Sequence, residues 1–482
     1  MESSDRKYTT EVEMIFHRRI SRSGYMMLSA AMLTVVAGSY SEEVYSQIAR
    51  FAAHDPGVRT GSNGAGGIIQ GVDVGSPEQR AFAVGQEAFG EVASVQGTVQ
   101  DTEAGLGPRF NLDSCEGCHA FPAAGGTSPV INPQVEVAKK EGAHNDIPSF
   151  IKRDGPVREA RFKHNPDGTP DGGVHALFTI SGRNDAPGCF IQQPDFRNAV
   201  ARQNVVFRIP TPLFGAGLIE AIDDDAILAN LAANSARRQD LGIRGRANTL
   251  TGRPNTSGND GTITRFGWKA QNKSLEIFSG EAYNVEQGVT SDLFPHERDE
   301  APACRFNPTP ESQTNFGATE MSEVPSDVVR FATFMRFLAP PTAMPDTDTI
   351  VRGRKLFGDV GCAVCHTPTL HTGKSSVAAL RNKDVNLYSD LVLHNMGAGL
   401  ADDVSQGNAG GDEFRTAPLW GLGKRIFFLH DGRTKDLLEA IQAHLGAGSG
   451  QYPPSEANQV VGQYNRLSEI DKQHVLNFLR SL

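Results

Sequence analysis

Positive charge, tryptophan and cysteine are all scarce in this 482-residue chain, and each shortage narrows what it can be. Lysine and arginine number 46 against 56 acidic residues, for a net charge of −10 and a pI near 5.7. A basic footprint for nucleic acid is therefore missing. Beyond the N-terminal segment no apolar run approaches the ~20 residues that a membrane helix needs. There are two tryptophans and six cysteines. What is present is ordinary for a soluble globular protein: 39% hydrophobic, 21% charged and 7% aromatic residues. The 51 glycines and 27 prolines place many residues in turns and irregular loops. At ~100–200 residues per domain the length predicts two to four domains.

The first 41 residues read as an export signal or a retained anchor. Arg18, Arg19 and Arg22 form a positive flank, Tyr25 to Gly38 is a short apolar run, and small residues follow at Ser39 and Ser41. This is the order of charged, apolar and cleavage regions in a secretory signal. A start at Met14 gives a more ordinary signal than the first methionine does. Membrane association is expected only if this segment is kept.

Four of the six cysteines fall in two C-x-x-C-H runs, Cys115-Glu116-Gly117-Cys118-His119 and Cys362-Ala363-Val364-Cys365-His366. This is the attachment pattern of c-type haem. Two thiols add to the two vinyl groups of one porphyrin, and the histidine that follows is placed under the iron as proximal ligand. A zinc ribbon needs its cysteine pairs ~15–20 residues apart, which these are not. A thioredoxin-like dithiol does not need histidine after the second cysteine twice. Two covalent haems are expected, and such attachment agrees with export to the periplasm. Cys189 and Cys304 remain. A structural disulfide is the default in an oxidising compartment; two separate buried thiols and a functional redox pair are the alternatives.

Each motif has similar neighbours. Upstream lie Gly85-Gln86-Glu87-Ala88-Phe89 and Gly353-Arg354-Lys355-Leu356-Phe357, both Gly-x-x-x-Phe on a predicted helix. Downstream, Phe207 to Gly217 echoes Phe414 to Gly423 with one inserted residue. Two echoes in the same order imply two homologous units. Ser468-Glu469-Ile470-Asp471 is a capping box, and Val475, Leu476, Leu479 and Leu482 recur at helical spacing behind it. Residues 120–340 are loop-rich, with turn clusters at 165–173 and 254–261. Pro340-Pro341 and Pro345 mark a linker between the units. The expected domains are 75–340, with insertions, and 346–482.

Further segments carry a resemblance: Gly107-Pro108-Arg109-Phe110-Asn111, Arg265 to Ala270, Thr319 to Ser322, Val329 to Pro341, Leu393 to Leu400, and Leu429-His430-Asp431-Gly432-Arg433 followed by Leu437 to Ile441. With these the chain resembles the di-haem cytochrome c peroxidase superfamily, most closely its di-haem oxidoreductase branch, often called thiol oxidoreductases, over roughly residues 75–482. The resemblance implies a mainly α fold of two cytochrome c-like haem domains with long loops and insertions. It also implies hydrogen peroxide as substrate, reduced at the N-terminal haem with electrons relayed by the C-terminal one, and a small periplasmic electron-transfer protein as donor. A thiol oxidoreductase, a non-catalytic electron carrier and oxygen-dependent chemistry, as in the rubber-cleaving branch, are alternatives. Superfamily members often hold calcium between the haem domains, and no dense acidic loop assigns one here.

The proximal ligands are His119 and His366, and the opposite faces decide what each iron does. The segment Leu393 to Leu400 looks like the family segment that carries a methionine ligand, so Met396, 30 residues beyond His366, is the candidate on the second haem. His394 and His430 are rivals. The first haem has no obvious methionine partner, which suits an open peroxidatic face. His175 or His296 could instead cap that iron. A distal carboxylate would relay the proton, with Glu220 and Glu286 as candidates. Trp268 could carry electron holes between the haems or be a core aromatic. Arg109, Arg208 and Arg415 could pair with haem propionates, because guanidinium matches carboxylate bidentately.

Overall fold

The computed structural model describes residues 52–249, 263–298 and 301–482; the export segment 1–41 and the 254–261 cluster lie outside the described residues. Thirteen α-helices occur among the described residues and no described strand exceeds four residues, so the fold is mainly α. Six helices position the site: α1 (Pro77–Gly90), α2 (Leu275–Gln287), α3 (Asp327–Phe337), α4 (Asp348–Asp359), α5 (Leu437–Gln442) and α6 (Glu469–Ser481).

Two helix pairs repeat one packing device. Ser76 caps α1 by accepting a hydrogen bond from the Gln79 N–H, and Pro77 occupies the first turn, where its missing N–H costs nothing. Phe82, Gly85 and Phe89 then fall on one face of α1 and pack against α3. The crossing sits at Gly85, where a Cβ would lie 2.5 Å from the Arg330 carbonyl oxygen and 3.1 Å from Phe334 Cβ. Thr347 caps α4, which packs against α6. That crossing sits at Gly353, where a Cβ would lie 2.5 Å from the His474 carbonyl carbon and 2.8 Å from Phe478 Cβ. The Gly-x-x-x-Phe echo is thus explained. Glycine lets two backbones meet, and the phenylalanine one turn later faces a motif histidine: Phe89 to His119 at 6.0 Å, Phe357 to His366 at 6.2 Å between ring centres.

The second echo has the same logic. Gly215 and Gly421 take left-handed φ values of +68° and +71°. Two residues on, Gly217 and Gly423 back against the carbonyls of Arg336 in α3 and Arg480 in α6. Only glycine suits both demands. The expected terminal helix is α6: Ser468 accepts from the Asp471 N–H at 3.1 Å, and Val475, Leu476 and Leu479 are buried.

Short strands hold the loops in register. In an antiparallel sheet, β1 (Glu159–Phe162) pairs with β2 (Val205–Arg208), Glu159 opposite Arg208. Farther on, β3 (Leu393–Asn395) pairs with β4 (Glu413–Arg415), Leu393 opposite Arg415. The core does not stop at Pro340. One cluster joins Phe89, Phe331, Phe334 and Leu338 to Leu387, Leu391 and Trp420. Cys189 and Cys304, both buried, form the disulfide that the oxidising-compartment argument anticipated.

Candidate functional site

Each C-x-x-C-H run is a tight turn whose histidine is locked by its backbone. Ser114 starts the first turn by accepting from the Gly117 N–H at 3.2 Å. His119 Nδ1 then meets the Gly126 carbonyl at 2.9 Å. In the second, Gly361 adopts φ +100° ahead of Cys362, and His366 Nδ1 meets the Tyr388 carbonyl at 3.1 Å. A carbonyl can only accept, so each Nδ1 carries the proton; His366 Nε2 is left as a free base, while the His119 ring also meets the Thr211 carbonyl. A carbonyl that holds Nδ1–H in this way fixes the ring and tautomer, as it does for a metal-binding histidine. Burial pushes both imidazoles down to about 4, which keeps them neutral. Cys115, Cys118, Cys362 and Cys365 form no disulfide. Burial pushes the Cys115 and Cys362 thiols up to about 12, which works against thiolate redox chemistry.

Both histidines open onto large cavities, of about 1090 Å³ for the first and 1430 Å³ for the second. The polar groups of the second cavity fit a bulky anionic group. Arg415, buried, and Arg425, half-buried, stand in its wall. Arg415 donates to the carbonyls of Gly267 and Thr416, Arg425 donates to that of Pro418, and Arg425 Nε has no partner. Burial pushes both guanidiniums down to about 10. Two cations in a cavity wall that meet only carbonyls fit the carboxylates of an anionic group.

In the first cavity the chemistry is carried by carboxylates. Glu286 from α2 and Glu159 from β1 are hydrogen-bonded to each other. Arg161 Nε holds Glu159 at 2.6 Å, and Asn111 Nδ2 donates to Glu286 at 2.8 Å. Burial, reinforced by the charge of Glu159, pushes Glu286 well above the carboxylate range. Burial would raise Glu159 too, but Arg161 and Arg208 hold it below its ordinary value. One carboxyl therefore keeps its proton while its neighbour is ionised, the arrangement of an acid–base pair. Arg208 lines this cavity as well, paired to Asp402 at 2.6 Å. Met335, one turn from Phe331 on α3, also lines it.

The second cavity is rich in imidazole. His394, His430, His444 and Met396 all line it. His394 is committed elsewhere, with Nδ1 at 2.8 Å from Glu456 and Nε2 at 3.0 Å from Asp390. His430 stacks on Phe414 at 4.4 Å, and burial pushes it down to about 4. His444, just beyond α5, repeats the geometry of the two motif histidines: its Nδ1 meets the Ala440 carbonyl at 2.8 Å, leaving Nε2 free. After burial, its proximity is the largest influence lowering His366. The donor atoms of Cys365, Asp390 and His394 lie within 4.8 Å of one another. This set lacks the six to eight oxygens that calcium takes.

Trp268 joins the two cavities. Its indole N–H donates to the Ile209 carbonyl at 2.9 Å, and its ring lines both. The other anticipated residues divide. Glu286 and Arg208 line the first cavity, Arg415 and Met396 the second. Glu220 lines neither. It accepts from the Leu275 N–H at 2.9 Å and from Arg336 Nε at 2.8 Å, capping α2 and pinning α3. His175 lines neither, being paired to Asp171 at 2.6 Å and stacked on Phe162. His296 and Arg109 also line neither. Glu159, Arg161, Arg425 and His444 escaped the sequence reading. None belongs to a spaced motif: the β1–β2 register brings Glu159 and Arg161 to the first cavity, and the packing of α5 brings His444 to the second.

The sequence family described as "Di-haem oxidoreductase, putative peroxidase" matches residues 161–482, which takes in the second C-x-x-C-H run. No curated protein matches the chain. Among solved structures it is similar to the diheme peroxidase BthA from Burkholderia thailandensis E264, at 14% identity over 89% of this chain and 94% of that one, with a TM-score of 0.37. A MauG-like protein associated with microbial copper homeostasis is similar at 17% identity over 49% of this chain and 73% of that one, TM-score 0.27. Hydrazine synthase of Kuenenia stuttgartiensis is similar at 18% identity and TM-score 0.22; 34% of this chain is covered, and the match spans 56% of the synthase chain.

Proposed function

Since this chain belongs to the di-haem oxidoreductase family, we propose that it reduces hydrogen peroxide in the first cavity, with electrons passed on from the second. The observation that carries this reading is the Glu159–Glu286 pair that lines the first cavity, with Arg161 on one carboxylate and Asn111 on the other. Cys115 and Cys118 would hold one haem and Cys362 and Cys365 the other, through thioethers, with His119 and His366 as proximal ligands. When bound, the haems would supply irons that exchange single electrons. The residues do the rest. Glu159 accepts a proton from the peroxide oxygen that binds, and Glu286 donates one to the oxygen that leaves. Two electrons and two protons then convert one peroxide to two waters. Arg161 and Arg208 keep Glu159 ionised. Trp268 bridges the cavities, and Arg415 and Arg425 take carboxylates of the second porphyrin.

His444 is proposed as a further residue that would hold the second haem, because its free Nε2 matches that of His366. Met396 is the second candidate there. On this reading residues 75–340 and 346–482 are two haem-bearing halves that share a core. The mature chain acts in the periplasm, in keeping with haem attachment and the Cys189–Cys304 disulfide, and takes electrons from a small electron-transfer protein. Glu286→Gln tests the proposal. It should keep the absorption spectrum and lower kcat/KM for peroxide by about 10²–10⁴-fold. A variant within about threefold of wild type, inside the noise of that range, would remove Glu286 from the mechanism. Because the pair must hold one proton, activity should fall as pH rises through the raised Glu286 value and as it drops through the depressed Glu159 value.

A further inference from the structure

A third cavity, of about 1130 Å³, lies against the first haem cavity and opens to solvent past the exposed Glu87, Glu103 and Glu323. Glu91, Asp327 and Arg330 complete its charged lining. Its partition from the first cavity is made of Tyr283, Gln287 and Phe331, which line both. Tyr283 is 9% exposed, and its hydroxyl reaches Asp327 Oδ2 at 3.4 Å. Its ring meets Phe331 edge-on at 5.0 Å; Phe331 meets Phe89 at 6.3 Å, and Phe89 meets the His119 ring at 6.0 Å. Packing alone would be served by phenylalanine. The hydroxyl adds an oxidisable O–H with a proton acceptor beside it, on the wall between a haem site and solvent.

We infer that Tyr283 is a one-electron relay between the first haem cavity and the acidic cavity, with Asp327 taking and returning its proton. The inference rests on the peroxide reading above. Peroxide is the two-electron oxidant of the haem site. Tyr283 gives that site one electron while its O–H bond breaks and the proton moves to Asp327, leaving a neutral tyrosyl radical. A one-electron reductant arriving through the acidic cavity refills the ring, and Asp327 returns the proton. Electrons and protons balance over the cycle. Two features of the wall favour it. Five carboxylates against one guanidinium ease removal of an electron from the ring. Burial raises Asp327 above its usual range and Tyr283 well above its own, so the carboxylate is a better base and the phenol stays protonated until oxidised.

The test is freeze-quench electron paramagnetic resonance on the haem-loaded full chain after peroxide, with haem absorption recorded on the same samples. Wild type should show haem oxidation and a tyrosyl-radical signal. Tyr283→Phe should show the same haem oxidation with that signal lost, and Asp327→Asn should diminish it at least severalfold. Haem oxidation with no tyrosyl signal in wild type, or with a signal unchanged in Tyr283→Phe, overturns the relay and leaves the peroxide reading standing. Haem spectra that ignore peroxide overturn the peroxide reading, and the relay with it.

Discussion

Replacing Gly353 by alanine should damage the second haem unit more than its position in an ordinary helix suggests. A Cβ at Gly353 lies 2.5 Å from the His474 carbonyl carbon and 2.8 Å from Phe478 Cβ. Carbon atoms prefer ~3.5–4.0 Å, so α4 and α6 must part by about 1 Å. The neighbour is helix backbone, which cannot swing away as a flexible side chain would. Overpacking of this kind costs ~1–3 kcal/mol, and the rigid neighbour favours the upper end. Alanine returns ~1 kcal/mol of helix propensity. The net is a loss of about 2 kcal/mol. Gly358 on the same helix is the control: nothing lies within 4 Å of a Cβ there. Gly358→Ala should therefore stabilise by ~0.5–1 kcal/mol. Urea midpoints of the two variants would show the difference. The absorption spectrum should shift only in Gly353→Ala, because Phe357, one turn on, faces His366 at 6.2 Å. Equal midpoints for the two variants would refute the claim that glycine is needed at the crossing.

Further outcomes can be checked separately. His444→Gly should open the second haem to added imidazole and shift its reduction potential, while Met396→Leu leaves both near wild type; the reverse pattern would make Met396 the ligand. Glu311 is raised from 4.5 to about 7, by burial first and then by the charge of Asp327. A carboxyl raised in the folded state adds stability below its unfolded pKa and loses it as pH climbs through the folded one. Between about pH 4.5 and 7 that loss reaches at most ~3 kcal/mol. Glu311→Gln should thus raise the thermal midpoint relative to wild type at pH 8 and not at pH 4. A constant difference across that window would argue against Glu311 as the titrating group.

The haem-attachment pattern was readable in the sequence, because it is written in contiguous residues. Attachment of porphyrin through two thiols and the next imidazole needs a fixed local spacing, so both motifs stand out of the chain unaided. The duplication was legible for a related reason. Gly85 and Gly353 are fixed by close helix crossings, and that demand is met by the same few residues in each copy. Which groups face the far side of each cavity is a different kind of fact. Glu159 reaches Glu286 only through the register of β1 with β2 and the placement of α2. His444 faces the second cavity only because α5 packs where it does. Glu220, an equally plausible carboxylate by sequence, is turned instead toward Arg336 and the start of α2. Local spacing marked the two C-x-x-C-H runs as candidates for haem attachment. Long-range packing decided which acids and imidazoles line the cavities beside them, because no short-range constraint links residues so distant along the chain.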